Sequence, residues 1–257
     1  MNPQTDINIR QALRDRFETD RRLGAAALPV RLPAPRRAAP AEPFNPNQKL
    51  APSEIDERRT QLDVIDNDEV KNCTKCGLSA TRTKTAFGVG NPAARLVFVG
   101  EAPGHDEDIQ GEPFVGRAGK LLTQMIQNGM GLRREDVYIC NILKCRPPDN
   151  RNPAADEIAA CRGYLWRQLE VLHPDLIIAL GAPAAQTLLD TSEAIGRLRG
   201  RFHNFYPSGT ALIGDPVPLL ATYHPAYLLR TPSEKKKAWS DLKRAMARLG
   251  IPLPNRR

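Results

Sequence analysis

The sequence of 257 residues predicts an α/β fold, a three-layer α/β/α sandwich around a central four-stranded parallel sheet. Four short apolar runs alternate with amphipathic segments, which is the pattern of parallel strands that are joined by helices and covered on both faces. The first run is followed by a long loop rich in glycine and acidic residues, at the strand end where open α/β sheets bind ligands. We therefore expect one pocket at that edge of the sheet.

The predicted strands are the four apolar runs at 95–99, 136–143, 175–180 and 217–222. Helices are predicted between them from apolar residues that recur every three or four positions. These helices cover 53–70, 118–130, 153–172 and the residues that follow 231. The alternation places the carboxyl ends of all four strands on the same edge of the sheet.

The N-terminal arm, residues 1–52, differs in composition from the globular domain predicted at 53–257. A short helix is possible at 6–24, and prolines follow at positions 29, 33, 35, 40, 43, 46 and 52. Proline fixes φ and removes an amide donor, so this stretch predicts a flexible linker and not a packed element. It would serve equally as a tether to a partner protein or as a spacer.

Positive charge is concentrated near the C-terminus. The net charge is +8, and residues 194–257 hold 12 basic and three acidic side chains. Such a surface suits a nucleic acid, because binding to phosphates releases counterions; the alternative is a solvated face that serves solubility. No run approaches the about 20 apolar residues of a membrane span, and the first residues lack the apolar core of a secretion signal. We expect a cytoplasmic, nucleoid-associated protein without a membrane partner.

Five cysteines occur in the chain. Cys73 and Cys76 form a CxxC pair, Cys145 and Cys161 come much later, and Cys140 is left over. Disulfides are rare in the cytosol, so these thiols indicate a metal site or a redox pair. From the thiols alone, a zinc ion and an iron–sulfur cluster are equally consistent.

Polar side chains stand at the ends of three predicted strands. Glu101 follows the first strand, Asn141 lies near the end of the second, and His224 follows the fourth. Because the strands are predicted to be parallel, these three side chains are expected to meet in one pocket.

Three longer segments occur in this order: GEAPGHDEDIQGEPFVGRAG, NILKCRPPDNRNP and TYHPAYLLR. Together they resemble the motifs of the family 4 uracil-DNA glycosylases, the iron–sulfur branch of the uracil-DNA glycosylase superfamily. The resemblance spans roughly residues 71–249 and leaves the N-terminal arm outside it. It implies excision of uracil from DNA by cleavage of the N-glycosidic bond, which requires the base to be flipped out of the stack.

The resemblance implies a separate task for each of three side chains. The Asn141 amide would pair with O4 and N3–H of uracil and mismatch cytosine; the alternative is a cap of the strand end. The Phe114 ring would stack on the base, although an isolated phenylalanine is more often a core residue. A His224 N–H group near O2 would stabilise the uracil anion as it leaves.

Glu101 is the first candidate for positioning water or stabilising the oxocarbenium-like sugar. The best-known branch of the superfamily carries GQDPYH where this chain has GEAPGH. Ala102 therefore replaces the acid that handles water in that branch, and Gly104 replaces the tyrosine that excludes thymine. Glu107 is expected near C5 of the base, where it would exclude thymine. The backbone amides from Gly100 to Gly104 would donate further hydrogen bonds to the base.

The same resemblance implies a 4Fe–4S cluster with four thiolate ligands, Cys73, Cys76, Cys145 and Cys161. Cys145 lies four residues after Asn141. The cluster would therefore pin the CxxC segment to the loop KCRPPDNRNP and to the 153–172 helix without touching the base. We expect its role to be structural. Cys140 lies inside a predicted strand and is expected to be a buried apolar residue.

Contact with DNA is expected from the HPAYLLR segment, which is predicted as a loop. Tyr227, Leu228 and Leu229 would wedge into the space that the flipped base vacates. Arg230 would bind a phosphate group of the DNA backbone. The alternative for the two leucines is packing beneath the last helix.

These features predict a monomeric, monofunctional uracil-DNA glycosylase that acts on uracil-containing DNA and leaves an abasic site. The partner tethered by the N-terminal arm would then be a repair or replication protein, with a mere spacer as the equal alternative. Lyase activity is not expected, because no lysine of the three segments is an evident Schiff-base nucleophile. The alternative is a catalytically weak or product-capturing DNA-binding module that retains the uracil pocket.

Overall fold

A computed structural model describes residues 50–207 and 215–254 of the chain. The predictions for the N-terminal arm up to residue 49, the helix at 6–24 among them, lie outside the described residues. The elements that follow are, in chain order, α1 (Pro52–Val64, continued by a π-helical turn at Ile65–Val70), β1 (Gly88–Gly90), β2 (Leu96–Gly100), α2 (His105–Gln110), α3 (Arg117–Gln124, continued by a π-helical turn at Met125–Met130), β3 (Tyr138–Asn141), α4 (Ala155–Leu172), β4 (Leu176–Leu180), α5 (Ala182–Leu189), α6 (Ile195–Leu198), β5 (Phe202–Phe205), β6 (Val217–Thr222), α7 (Pro225–Arg230) and α8 (Lys235–Leu249).

The strands form one sheet in the order β1-β3-β2-β4-β6-β5. The four inner strands are parallel to one another, as predicted. The two outer strands run antiparallel to their neighbours, so the sheet has six strands and the predicted number of four is too low. Both outer strands lack a long apolar run: β1 reads GVG and β5 reads FHNF.

Two apolar cores separate the sheet from the helices on its two faces, which confirms the predicted three layers. Side chains alternate along each strand, so Val97 and Val99 of β2 join one core whereas Leu96 and Phe98 join the other. The first core receives apolar residues of α1, α4, α5 and α6. The second receives those of α3 and α8. Burial in two layers fixes the register of the strands, and therefore the positions of the side chains at their ends.

The HPAYLLR segment is a helix, so the prediction of a loop is wrong. Pro225 stands at the first helical position, where its fixed φ is favourable and an amide is not required. Leu228 is 1% exposed and lines an apolar groove with Trp239 and Leu242 of α8. It does not stand free to enter DNA, and the alternative of packing against the last helix describes it. Leu229 is partly exposed.

No helix of residues 50–207 and 215–254 is long and apolar enough to cross a membrane.

Candidate active site

A pocket of about 410 Å³ opens at the carboxyl edge of the parallel strands. It brings together most of the residues predicted for the site, namely Glu101, Ala102, Glu107, Phe114, Asn141, His224, Tyr227 and Arg230. These residues come from the ends of β2, β3 and β6 and from the helices that follow them. The predicted convergence of the three strand ends is therefore observed.

Gly100, the last residue of β2, lies directly beneath two pocket residues, and only a glycine leaves room for them. A Cβ atom at this position would lie 2.3 Å from Oδ1 of Asn141 and 2.4 Å from Cζ of Phe114. Both distances are far below van der Waals contact. The last residue of β2 thus lets the amide of Asn141 and the ring of Phe114 meet over the backbone.

Asn141 presents an unpaired acceptor in this region. It is the last residue of β3 and is 1% exposed, and its Oδ1 atom has no hydrogen-bond partner. Burying an amide oxygen without a partner is costly, so such groups commonly mark a ligand site. The Asn141 backbone is held in place, since Nζ of the buried Lys144 donates a 2.8 Å hydrogen bond to its carbonyl oxygen.

Phe114 lies in a short turn, the PFVG turn at residues 113–116, which two charged side chains contact from two sides. Phe114 has a φ of 56°, a conformation that side-chain-bearing residues rarely adopt. Glu107 accepts hydrogen bonds from the amides of Val115 at 2.9 Å and Gly116 at 3.0 Å. Arg134 donates to the carbonyl oxygens of Pro113 at 2.9 Å and Phe114 at 3.1 Å. These four bonds stabilise the strained conformation that carries the ring.

Glu107 connects the PFVG turn to the loop after β2. Its second oxygen accepts a 3.1 Å hydrogen bond from the amide of Gly104. A single carboxylate therefore receives three backbone amides while it also lines the pocket. Arg134 was not predicted, because it lies 20 residues beyond Phe114 and no local motif marks it.

His224 is held as a neutral imidazole with a defined orientation. The amide of Ala226 donates to Nδ1 at 3.1 Å, which leaves Nε2 to carry the proton. Burial, aided by the positive charge of Arg230, lowers the pKa of His224 to about 4. The ring lies 5.6 Å from that of Phe114. Gly181, which follows β4 with a φ of 92°, packs closely against the histidine, since a Cβ atom there would lie only 3.0 Å from the Cβ of His224.

Glu101 is the partly buried carboxylate at the end of β2. It lines the pocket, and burial raises its pKa above that of an ordinary glutamate. The pKa values of Glu101 and His224 thus move in opposite directions within one pocket, a pattern that is typical of catalytic sites.

The loop between β3 and α4 supplies pocket residues that the sequence analysis did not single out: Pro147, Asn150, Arg151 and Asn152. Asp149 and Asn150 both have positive φ values, 56° and 53°. Arg151 is fixed by an ion pair with Glu157 of α4 at 2.6 Å. Asp and Asn after two prolines were a usable signal of a tight turn, since both residues tolerate this conformation.

The four cysteines predicted as ligands line a single cavity, separate from the pocket, that Lys144 also lines. Nη1 of Arg82 donates to Sγ of Cys145 at 3.2 Å, and the amide of Lys144 donates to Sγ of Cys161 at 3.3 Å. Burial raises the pKa of Cys145, and that of Cys161 to about 11. These thiols therefore need a strong positive charge beside them to become thiolates, and a bound metal centre would supply it.

The four thiols of the cavity suit either of two metal centres, since four cysteine thiolates can bind one zinc ion or one 4Fe–4S cluster. Within residues 50–207 and 215–254, the side chains of His, Cys, Asp and Glu form no group of three or more that could hold a metal ion as they stand. Cys140 lies in β3, fully buried and outside this cavity, as expected of an apolar residue.

The sequence of this chain is similar to those of known proteins. Residues 87–243 match the model of the uracil DNA glycosylase superfamily. The type-4 uracil-DNA glycosylase of Archaeoglobus fulgidus is 47% identical over 180 residues, which cover 68% of this chain and 87% of that protein. The type-4 enzyme of Saccharolobus solfataricus is 45% identical, with 76% and 90% covered, and that of Thermotoga maritima is 47% identical, with 69% and 88% covered.

Proposed function

This chain belongs to the uracil-DNA glycosylase superfamily, and we propose that its pocket holds a flipped uracil between Asn141, Phe114 and His224. The protein is a uracil-DNA glycosylase that excises uracil from DNA in repair, and uracil-containing DNA is its substrate. The finer assignment of roles rests on one observation above all. Asn141 carries a buried, unpartnered Oδ1 atom in the wall of the pocket.

Recognition of uracil follows from the two ends of the Asn141 amide. Oδ1 accepts the N3–H group of the base, and the NH₂ group donates to O4. Cytosine offers an acceptor at N3 and a donor at N4, so both contacts would be lost. The Phe114 ring, fixed by the PFVG turn, stacks on the face of the base and sets its plane.

Departure of the base places negative charge on uracil as the bond from N1 to the sugar breaks. His224 would donate to this charge from its Nε2–H group, because Nδ1 already accepts the amide of Ala226 and the lowered pKa keeps the imidazole neutral. A preorganised donor of this kind stabilises the transition state, since it needs no reorganisation when the charge develops.

Glu101 is placed to act on the sugar side of the broken bond. As a carboxylate it would stabilise the positive charge that develops on the deoxyribose and orient the water that attacks the anomeric carbon. Ala102 has no side chain that could do either. The raised pKa of Glu101 means that this carboxylate is lost at a higher pH than an exposed one would be.

The four clustered thiols, Cys73, Cys76, Cys145 and Cys161, are proposed to hold a 4Fe–4S cluster. When bound, the cluster would join the CxxC segment to the loop after β3 and to α4, which carry these residues. Cys145 and Lys144 are neighbours in the chain, and Lys144 holds the Asn141 carbonyl. The proposed role is therefore structural support of the base-recognition strand.

A lyase mechanism has no support in the loop after β3. Lys144, the lysine of the NILKCRPPDNRNP segment, is 1% exposed, and its Nζ atom donates to the Asn141 carbonyl and to the side chain of Gln168. It does not line the pocket. In the proposed function the product is an abasic site in an unbroken strand.

The test is a DNA oligonucleotide with a single uracil, incubated with the protein and analysed with and without hot alkali. We expect free uracil and strand breakage that appears only after alkali. Breakage without alkali would indicate a lyase, and a stable protein–DNA adduct would indicate the product-capturing alternative. If no uracil is released, the pocket is a binding module.

A further inference from the structure

An aromatic pair, Tyr223 and Tyr227, lies beside the pocket, and of the two only Tyr227 was assigned a role from the sequence, as a wedge into the DNA. Tyr227 of α7 lines the pocket. Its ring centroid lies 5.1 Å from that of Tyr223, at an interplanar angle of 40°. Both side chains are partly exposed, and Tyr223 does not line the pocket. Tyr227 therefore lies next to the pocket, and the ring of Tyr223 packs against it on the side away from the pocket.

The pair is anchored from its outer side by Arg199. The guanidinium group lies 5.3 Å from the centroid of the Tyr223 ring. Arg199 donates to both carboxylate oxygens of Asp241, which is 1% exposed, and at 2.7 Å to the carbonyl oxygen of Lys237. Thr222, directly before Tyr223, donates to the same carboxylate at 2.7 Å. The rings are therefore prearranged, and little conformational entropy is lost when a ligand stacks on them.

The surface around the pair is basic. Arg230 lies at the pocket and is exposed, and Lys235 and Lys236 begin α8 with exposed side chains. Two acidic residues beside the pair are bound to basic side chains, Asp241 to Arg199 and Glu234 to Lys237, and Glu101 shares the pocket with Tyr227. Aromatic rings within a basic surface are typical of proteins that bind unpaired nucleic acid strands.

We propose that Tyr227, supported by Tyr223, is a stacking platform for the nucleobase next to the flipped uracil in an unpaired strand. This inference rests on the proposed function, in which the pocket holds uracil. When uracil leaves the stack, the neighbouring base loses one stacking partner, and the pocket side of the Tyr227 ring replaces it. In a duplex the neighbour stays paired and stacked, so the gain belongs mainly to single strands.

The experiment compares kcat/KM for single-stranded oligonucleotides that contain one uracil. One substrate has normal neighbours, and two others have a tetrahydrofuran residue, which lacks a base, on the 5′ or the 3′ side of the uracil. The variants are Tyr227→Leu, which removes the ring, and Tyr227→Phe, which keeps it. Tyr206→Leu is the matched control, because Tyr206 follows β5 at the edge of the sheet opposite the pocket.

We expect Tyr227→Leu to lower kcat/KM on the normal single strand by about 5- to 100-fold, the range of one base–aromatic stack. Tyr227→Phe, which keeps the ring, should recover most of that loss, and the control Tyr206→Leu should stay within about twofold of the wild-type protein. On one of the two tetrahydrofuran substrates, kcat/KM of the wild-type protein should fall by a similar factor relative to the normal strand. On that same substrate, kcat/KM of Tyr227→Leu should be little lower than its own value on the normal strand. An equal loss of Tyr227→Leu on all three substrates would overturn the platform, as would a wild-type protein indifferent to both missing bases. Failure of the wild-type protein to release any uracil would instead overturn the proposed function.

Discussion

The carboxylate of Glu107 and the guanidinium group of Arg134 bind the same four-residue turn, one through its amides and the other through its carbonyl groups. Glu107 receives the amides of Val115 and Gly116, and Arg134 donates to the carbonyl oxygens of Pro113 and Phe114. Between these contacts Phe114 has a positive φ, which costs free energy without such support. The ring of Phe114 is therefore positioned by two charged side chains that bind its turn from different parts of the chain.

Replacing either charge should impair activity more than folding. We expect Glu107→Gln and Arg134→Met to lower kcat/KM on a uracil oligonucleotide by about 10- to 100-fold, because each removes charge-assisted hydrogen bonds of about 1.5–3 kcal/mol. The control is Glu112→Gln, which changes an exposed carboxylate beside the turn. Unchanged kinetics together with a lower melting temperature would show that the two residues serve stability alone.

A gain of thymine excision by Glu107→Ala would place Glu107 near C5 of the base.

The neutral state of His224 predicts a specific pH dependence. An ordinary histidine protonates near pH 6.5, whereas His224 in the folded protein has a pKa of about 4. Between these values the unfolded chain binds the proton more readily, so the stability contributed by this residue falls as the pH drops from 6.5 to 4. Activity should show no inflection from His224 between pH 5.5 and 8.

The matching variant is His224→Ala, which should lower kcat by about 10²- to 10³-fold, the usual effect of losing one such donor. His173→Asn is the control, because His173 ends α4 with a positive φ that asparagine tolerates. Nitrogen NMR of the free protein reads the tautomer directly. A His224 signal that titrates near pH 6.5 would contradict the neutral donor.

Glu101 should determine the acid side of the pH–rate profile. Burial raises its pKa, and the carboxylate form is the active one, so kcat should rise with pH as Glu101 ionises. Glu101→Gln should be slower by about 10²-fold and should lose this rise. Asp106→Asn, an exposed carboxylate in the next helix, is the control. If Glu101→Gln keeps full activity across the pH range, another group handles the water.

The proposed cluster should matter for folding more than for chemistry. Cys161→Ser should abolish the brown colour and broad visible absorbance of the purified protein and lower its melting temperature. Cys140→Ala, which changes a thiol outside the cavity, should keep both the colour and the iron content. Protein purified without oxygen avoids loss of the cluster by oxidation. A colourless wild-type protein that contains zinc would contradict the iron–sulfur assignment.

The part of the fold that could be predicted from the sequence is the part that is buried on both faces. Continuous apolar runs marked the four parallel strands, and the polar residues at their ends marked Glu101, Asn141 and His224. The edge strands were missed because GVG and FHNF bury little on their outer sides. The helix at Pro225–Arg230 was missed because six residues give no clear period.

Contacts between residues that are distant in the chain could not be predicted from the sequence. Nothing near Arg134 indicates that its guanidinium group binds a turn 20 residues earlier, because the pairing depends on how α3 packs. The burial of Leu228 likewise depends on α8. The motifs did identify residues that line the pocket at the strand ends, since these lie in continuous segments. They did not identify Arg134, which binds the PFVG turn.

The most direct test of the central claim, that Asn141 selects the base, compares release of free uracil and free cytosine from matched single-stranded oligonucleotides by the wild-type protein and Asn141→Asp. A buried aspartic acid is protonated and presents a donor for N3 and an acceptor for the N4 amino group of cytosine. We predict that the wild-type protein releases only uracil, and that Asn141→Asp loses at least about 100-fold on uracil and gains measurable release of cytosine. Excision of uracil by Asn141→Asp at the wild-type rate would contradict the account.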